Sequence, residues 1–161
     1  VGKGTTFSLY LPASDRALTP PKGAAQPPET GNGRILVMDD ERMVREIAAA
    51  MLQVLGYEVE SAADGEAAIA LYEQARAQGR PFSAVIMDIT IPGGLGGKEA
   101  IRELLAIDPG VRALVSSGYS NDPVMADFAE HGFCAVIPKP YRLADLAAAL
   151  KAAARSAPAS R

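Results

Sequence analysis

Two uninterrupted apolar stretches of this chain each run directly into acidic residues. Residues 34–39 read Arg-Ile-Leu-Val-Met-Asp with Asp40 next, and residues 84–88 read Ala-Val-Ile-Met-Asp. Apolar runs of this length indicate strands buried on both faces, as in a parallel sheet covered by helices. Because the carboxyl ends of parallel strands lie on one edge of a sheet, we expect Asp39, Asp40 and Asp88 to lie together there.

The repulsion among these three carboxylates predicts a bound cation. Two unit charges about 4 Å apart repel by roughly 4 kcal/mol at an effective dielectric constant near 20. A hard divalent cation with oxygen ligands offsets this repulsion, and Mg²⁺ suits a site that keeps water and also holds a phosphate. The sequence therefore predicts a Mg²⁺ site formed by Asp39, Asp40 and Asp88.

Composition excludes several classes of protein. The 161 residues are 48% hydrophobic with a net charge of −3, which is typical of a single globular domain. The Lys and Arg residues are scattered, so we expect no contact with nucleic acid. The single cysteine, Cys134, excludes an intramolecular disulfide and suits a reducing, cytoplasmic compartment. No apolar run approaches a membrane span, and the first residues of the sequence have no signal-peptide pattern, so we expect no membrane contact by these residues.

The chain divides into four segments. Residues 13–33 contain four prolines without helical or strand periodicity, which predicts a flexible linker. This linker separates a first segment, residues 1–12, of which 6–12 are strand-like, from a long alternating segment, residues 34–155. The tail 156–161 offers nothing to bury and is predicted to be disordered. A start at Val with no Met indicates a piece excised from a longer protein.

Strands and helices alternate through the long segment. The predicted strands are 34–39, 57–62, 83–88, 112–116 and 134–138. The predicted helices are 41–55, 65–78, 98–106, 123–131 and 142–155. Because strand–helix–strand crossovers are right-handed, this alternation favours an open, doubly wound parallel α/β sheet. The pattern does not by itself determine the order of the strands.

Residue types at the helix faces and ends refine this prediction. The apolar face expected for the first helix consists of Val44, Ile47, Met51 and Leu55. Gly56 is expected to end that helix. Asp64 is expected to cap the second helix, and Asp122-Pro123 to begin the fourth.

Two further polar residues fall at the carboxyl ends of predicted strands, Ser116 in the fourth and Lys139 after the fifth. Taken singly, such a Ser is often part of a turn, such a Lys is often solvated, and Asp40 could simply cap a helix. As a set with Asp88, they provide the groups for phosphoryl transfer. These are a carboxylate nucleophile, a cation and a hydroxyl donor for a phosphoryl oxygen.

Residues 34–155 resemble the receiver domain of two-component response regulators. The matching motifs are Asp39-Asp40, Val-Ile-Met-Asp88 with Pro92 four residues on, Ser116 before a small residue, and Lys139-Pro140. The resemblance implies a flavodoxin-like (βα)5 fold with strand order 2-1-3-4-5. It also implies a cis peptide bond between Lys139 and Pro140.

The resemblance assigns a role to each site residue. Asp88 would be the phosphoacceptor, and Mg²⁺ would be bound by Asp40, Asp88 and the backbone carbonyl of Thr90, with Asp39 acting mainly through water. The phosphoryl group would come from the phosphohistidine domain of a histidine kinase, with a histidine phosphotransfer protein as a further partner. Such a domain catalyses only its own phosphorylation and dephosphorylation.

The first residues resemble a different family. Residues 2–12, Gly-Lys-Gly-Thr-Thr-Phe-Ser-Leu-Tyr-Leu-Pro, are similar to the final glycine box and last strand of a histidine-kinase ATPase domain. The ATP-binding helix and the lid of that domain are missing from this sequence. The resemblance therefore implies a remnant that does not bind ATP, and a parent that is a hybrid histidine kinase with a C-terminal receiver. Both a membrane-anchored and a cytoplasmic parent fit this resemblance.

One position departs from the receiver pattern. Val136 stands three residues before Lys139, where many receivers have an aromatic ring, and Tyr119 is a candidate to compensate.

Two other functions fit the same acids. A phosphatase with an aspartate nucleophile would need a second acid where Thr90 stands, and a pseudo-receiver would bind partners without being phosphorylated. The presence of every acid, the hydroxyl and the lysine speaks against the pseudo-receiver.

Overall fold

The computed structural model describes residues 31–118 and 127–155, together with Gly4 and Ser8. Gly4 and Ser8 are both exposed. The rest of the predicted kinase remnant lies outside the described residues, as do most of the linker 13–33 and the tail 156–161.

Nine elements of secondary structure follow one another in the described ranges. The strands are β1 Arg34–Met38, β2 Glu58–Ala62, β3 Ala84–Asp88, β4 Ala113–Ser117 and β5 Ala135–Pro138. The helices are α1 Arg42–Val54, α2 Gly65–Ala77, α3 Gly97–Ile107 and α4 Leu143–Arg155. Each bound lies within one residue of the corresponding prediction. None of these helices is both long enough and apolar enough to cross a membrane.

All five strands are parallel and form one sheet in the order β2-β1-β3-β4-β5. This order confirms the flavodoxin-like, doubly wound fold. The register sets Asp88 at the end of β3 directly beside Ser116 in β4. Because every strand runs the same way, the residues that follow β1, β3 and β5 meet at one edge, which we call the carboxyl edge.

The helix predicted near 123–131 is not observed where the structure describes that stretch. Residues 127–131 form turns, and the bonds from Glu130 N to Asp127 O and from His131 N to Phe128 O span three residues instead of the four of an α-helix. Gly132, with φ of 92°, ends this turn before β5. The proposed cap Asp122-Pro123 lies outside the described residues.

The core consists of two apolar clusters, one on each face of the sheet. Leu36 and Met87 belong to the cluster covered by α2 and α3, whereas Ile35 and Ile86 belong to the cluster covered by α1 and α4. All four side chains are at most 1% exposed. Neighbouring strand residues point to opposite faces, so burial of both faces explains why the strands are continuously apolar.

Helix α1 is rotated relative to the prediction. Ile47 was expected to be buried, but its side chain is 45% exposed, and Ala48 and Leu52 are buried instead. Val44 and Met51 pack at the margin of the cluster. Because successive helical residues are 100° apart, a face centred on Ala48 leaves Ile47 at its edge. The small Ala side chain lets the helix approach the sheet closely.

The expected helix ends are partly confirmed. Gly56 follows α1 with φ of 91°, and the Asp64 carboxylate accepts a hydrogen bond of 2.8 Å from Ala67 N at the start of α2. Asp40 does not cap α1, because the N-cap residue is Glu41 and no side chain caps that end. The Asp40 carboxylate is therefore left for other contacts.

Candidate functional site

The three acids predicted to gather at the carboxyl edge lie close together. Asp39 and Asp40 directly follow β1, and Asp88 ends β3. One carboxylate oxygen from each residue lies within 4.8 Å of the others. Asp39 is completely buried, Asp88 is partly buried and Asp40 is exposed. The cluster therefore opens to solvent on the side of Asp40.

Lys139 supplies the cation of the cluster from the loop after β5. Its Nζ lies 2.5 Å from Oδ2 of Asp39 and 2.8 Å from Oδ2 of Asp88. The contact of Nζ with Asp88 is a hydrogen bond, and its shorter contact with Asp39 is a close ion pair. The other oxygen of Asp39 accepts a 2.9 Å bond from Glu41 N. Lys139 thus bridges two strand ends.

Burial and charge act in opposite directions on these groups. Burial raises the pKa of Asp88 and the Asp39 carboxylate adds to this rise, although Lys139 and the backbone N–H of Thr90 oppose it. Burial alone would lower the pKa of Lys139, but its contacts with Asp39 and Asp88 outweigh burial and raise that pKa. Lys139 is therefore a permanent cation at neutral pH, outnumbered by carboxylates.

The donor set fits a hard divalent cation. Three carboxylate oxygens converge, and their formal charge exceeds that of Lys139. Oxygen ligands of this kind are those that Mg²⁺ and Ca²⁺ take in proteins. Thr90 is exposed two residues beyond Asp88, and its N–H bonds to the Asp88 carboxylate.

Ser116 reaches the same edge from β4 and is completely buried. Its Oγ lies 2.9 Å from the hydroxyl oxygen of Tyr141, which is 9% exposed. Tyr141 follows Lys139-Pro140, whose peptide bond is cis, as the resemblance implied. Sequence reasoning missed Tyr141, although a phenol two residues beyond the site lysine was a usable signal. Tyr119, the other candidate, lies outside the described residues.

Arg45 is a second residue that sequence reasoning missed. From α1, its guanidinium donates to the backbone carbonyls of Asp39, at 2.5 Å, and Asp40, at 2.9 Å. These bonds link the first turns of α1 to the loop that carries the acid pair. An arginine at this helical position gives no sequence signal of its own, because the same residue is common on solvated helix faces.

Two glycines bring helix α3 against the end of β3. A Cβ atom on Gly97 would lie 2.4 Å from the carbonyl oxygen of Asp88, and one on Gly96 would lie 2.4 Å from that of Ile89. Gly97 N also donates to the Ile89 carbonyl at 3.1 Å. The backbone around Asp88 is therefore held by direct backbone contact.

The strand order, with an acid cluster, a hydroxyl and a lysine at the carboxyl edge, defines the CheY-like class of flavodoxin fold. The chain belongs to the response regulator receiver domain family, whose sequence profile matches residues 35–151. This match confirms the resemblance seen in the sequence and makes the chain a receiver domain of a two-component system.

The sequences of two individual proteins support this family assignment. The chain is 31% identical over 160 residues to the sensor kinase CckA of Brucella abortus, a match that covers 94% of this chain and 16% of the kinase. It is 36% identical over 107 residues to a response regulator receiver protein of Anaeromyxobacter, covering 66% of this chain and 42% of that protein. The chain thus spans less than half the length of either relative.

A solved structure also resembles this chain. The receiver domain of the sensor histidine kinase PA1611 from Pseudomonas aeruginosa, with a magnesium ion coordinated in its active-site cleft, superposes with a TM-score of 0.67. The two sequences are 26% identical, and the superposition covers 78% of this chain and all of the PA1611 domain.

Proposed function

We propose that this domain accepts a phosphoryl group from a phosphohistidine onto Asp88 and loses it by hydrolysis. The observation that carries the proposal is the position of the Asp88 carboxylate. It ends the central strand, is partly exposed, and lies 2.8 Å from the ammonium group of Lys139. A nucleophile needs such access, and the developing charge on a phosphoryl group needs such a cation.

The chemistry follows from the groups at the edge. A carboxylate oxygen of Asp88 attacks phosphorus, the bond from phosphorus to the histidine nitrogen breaks, and the leaving imidazole takes up a proton. Lys139 and the hydroxyl of Ser116 contact the phosphoryl oxygens as they arrive. Asp39, Asp40 and Asp88, with the carbonyl of Thr90, would hold Mg²⁺, which when bound neutralises phosphoryl charge. Water on the open side of the cluster then hydrolyses the acyl phosphate.

The partner that fits this chemistry is a phosphohistidine on a histidine kinase, in cis or in trans, with a histidine phosphotransfer protein as a second partner. The match to CckA over 94% of this chain supports a hybrid sensor kinase as the parent. The likeness to the PA1611 receiver, which is also part of a sensor histidine kinase, supports it too. We assign the exchange to the cytoplasm, in keeping with the free thiol of Cys134.

Intact mass spectrometry tests the proposal directly. The fragment is incubated with acetyl phosphate, with either Mg²⁺ or EDTA present. We expect one added phosphoryl group in Mg²⁺ and little in EDTA. The Asp88→Asn variant should remain unlabelled, whereas Asp127→Asn, which removes an exposed acid outside the cluster, should label like the wild type.

Other outcomes would identify other functions. Labelling of Asp88→Asn at a rate comparable to wild type would refute Asp88 as the phosphoacceptor. No labelling of the wild type by acetyl phosphate or by a phosphorylated kinase domain would indicate a pseudo-receiver. Rapid multiple turnover of unrelated phosphate monoesters would indicate a phosphatase, although Thr90 stands where such an enzyme needs its second acid.

A further inference from the structure

We infer that Tyr141 positions Ser116 for the phosphoryl group by donating its hydroxyl proton to Oγ of Ser116. The oxygen atoms of the two residues lie 2.9 Å apart in a buried contact. This inference rests on the proposed function, because it assigns a task to Ser116 only if Asp88 is phosphorylated. Tyr141 would be a positioning residue, since it acts through Ser116.

The position of Ser116 makes it the hydroxyl nearest in register to Asp88. The two residues are paired across β3 and β4, and neighbouring strands lie about 4.8 Å apart. A serine hydroxyl has one proton to donate and two lone pairs to accept with. The use of its single proton therefore decides whether Ser116 can bind a phosphoryl oxygen.

The direction of the Tyr141–Ser116 bond follows from acidity. A phenol, with a pKa near 10, is a stronger hydrogen-bond donor than an aliphatic alcohol. When Tyr141 donates, the Ser116 proton is left for the phosphoryl oxygen, which as an anion makes the stronger bond. In the opposite direction, Ser116 would present only lone pairs to that anion and repel it. Arrival of a phosphoryl group thus favours donation by Tyr141.

Tyr141 is held firmly enough for this task. Its ring is 9% exposed and belongs to the apolar cluster under α1 and α4, with Ile137 and Leu146. Burial raises the pKa of Tyr141, so its proton is retained at neutral pH. Leaving a buried hydroxyl without a partner is unfavourable, which keeps the phenol directed at Ser116.

Tyr141 contacts Ser116 from the face of the sheet opposite to Val136. Val136, at the position where many receivers have an aromatic ring, packs at the cluster under α2 and α3. Tyr141 approaches from the cluster on the opposite face. Among the described residues, the aromatic group in contact with Ser116 is therefore already buried before any phosphorylation, and it does not have to move inward when Ser116 binds the phosphoryl group.

The Tyr141→Phe variant isolates the hydroxyl, because it keeps the ring and its packing. We expect its initial rate of labelling by acetyl phosphate and Mg²⁺ to fall about fivefold, as loss of one hydrogen bond predicts. Its affinity for beryllofluoride, followed by NMR, should fall by a similar factor. The matched control is Tyr72→Phe, which removes a buried phenol hydroxyl bonded to Asp108 at 2.9 Å. That control should label like the wild type.

A double-mutant cycle separates positioning from a structural effect. If Tyr141 acts through Ser116, then adding Tyr141→Phe to Ser116→Ala should change neither the rate nor the beryllofluoride affinity further. Equal fold-losses in the presence and absence of Ser116 would overturn the inference, and so would a Tyr141→Phe rate equal to that of wild type. A wild-type protein that takes up no phosphoryl group would instead contradict the function proposed for Asp88.

Discussion

The two edges of the sheet carry charge in opposite ways. At the carboxyl edge, Asp39 is completely buried, Asp88 and Lys139 are partly buried, and the carboxylates outnumber the ammonium group. Within the described residues, Lys139 is the cation that forms ion pairs with Asp39 and Asp88.

At the opposite end of the strands, which we call the amino edge, positive and negative groups are matched. Arg34 pairs with Glu58 and Glu60, and Arg80 pairs with Glu58 at 2.8 Å. The Arg34 guanidinium also lies over the ring of Phe82, 4.6 Å from its centroid. The glutamates of this edge are substantially exposed, so water screens these pairs.

The two edges differ in how their charges affect the stability of the isolated fold. Exposed, matched pairs contribute little and cost little, about 0–1 kcal/mol each. A buried excess of one sign is unfavourable for the isolated fold, because desolvation and repulsion act together. The binding of a cation and a phosphoryl group, as proposed, would account for the carboxyl edge, and changes at the two edges should have very different consequences.

The largest effect is expected from removing the ammonium group that pairs with the Asp39 and Asp88 carboxylates. Lys139→Met leaves Asp39 and Asp88 buried without their partner, so the free energy of unfolding in EDTA at pH 7 should fall by about 3 kcal/mol. Burial raises the pKa of Asp88 and Lys139 opposes that rise, so this pKa should rise further in the variant. The folded variant then takes up a proton at Asp88 before the unfolded chain does, and it regains stability as pH falls. Urea unfolding should therefore show a smaller loss at acid pH. A loss below that of an amino-edge variant would contradict the comparison.

The affinity for Mg²⁺ should distinguish the roles of Asp40 and Asp39 at the carboxyl edge. Asp40 is exposed, whereas Asp39 is already engaged by Lys139. We expect Asp40→Asn to lower Mg²⁺ affinity about tenfold, and more than Asp39→Asn does, because a directly bound carboxylate contributes more than one acting through water. Titration followed by NMR amide shifts measures both. Unchanged affinity in Asp40→Asn would remove Asp40 from the metal site.

A smaller effect is expected from Tyr72, whose hydroxyl bonds to Asp108 between α2 and the end of α3. Tyr72→Phe should lower the free energy of unfolding by about 1 kcal/mol at pH 7. Burial raises the pKa of Tyr72 above its usual value of 10.0, and the bond to Asp108 adds to this rise. The stability due to this proton is present below pH 10 and is lost as pH rises through the folded-state pKa.

Urea unfolding at pH 9 and pH 11 checks this pH dependence. Between these values the wild type should lose more stability than Tyr72→Phe, because only the wild type has this phenol to ionise on unfolding. Parallel losses in the two proteins would mean that Tyr72 ionises at its ordinary pKa.

The smallest effect is expected at the exposed pair of the amino edge. The side chains of Arg80 and Glu58 are 61% and 68% exposed. Arg80→Ala should change the free energy of unfolding by less than about 0.5 kcal/mol, and added salt should reduce even this difference. A loss comparable to that of Lys139→Met would show that the two edges do not differ as described.

Sequence reasoning worked where a local pattern has one physical meaning. Continuous apolar runs mean strands buried on both faces, so β1, β3 and the acids at their ends were predicted correctly. The strand order came from the resemblance, because alternation of strands and helices allows several orders. The apolar face of α1 was misjudged around Ile47, since the depth of a helix face depends on how closely it approaches the sheet.

Contacts between distant segments could not be predicted in the same way. Tyr141 meets Ser116 across 25 residues, and their bond depends on where the turn after Lys139 directs the phenol. Arg45 finds the carbonyls of Asp39 and Asp40 only because α1 begins where it does. Neither contact has a periodic signature, so both required the folded structure.

The close approach of Gly97 to the carbonyl of Asp88 limits which positions can vary without displacing Asp88, the proposed phosphoacceptor. A single methyl group at Gly97 would have to move either α3 or the strand end, because backbone atoms cannot swing aside as side chains do. In mutational scans, Gly97 should therefore be as intolerant as the acids and Lys139 of the cluster, while Val136 should accept many replacements.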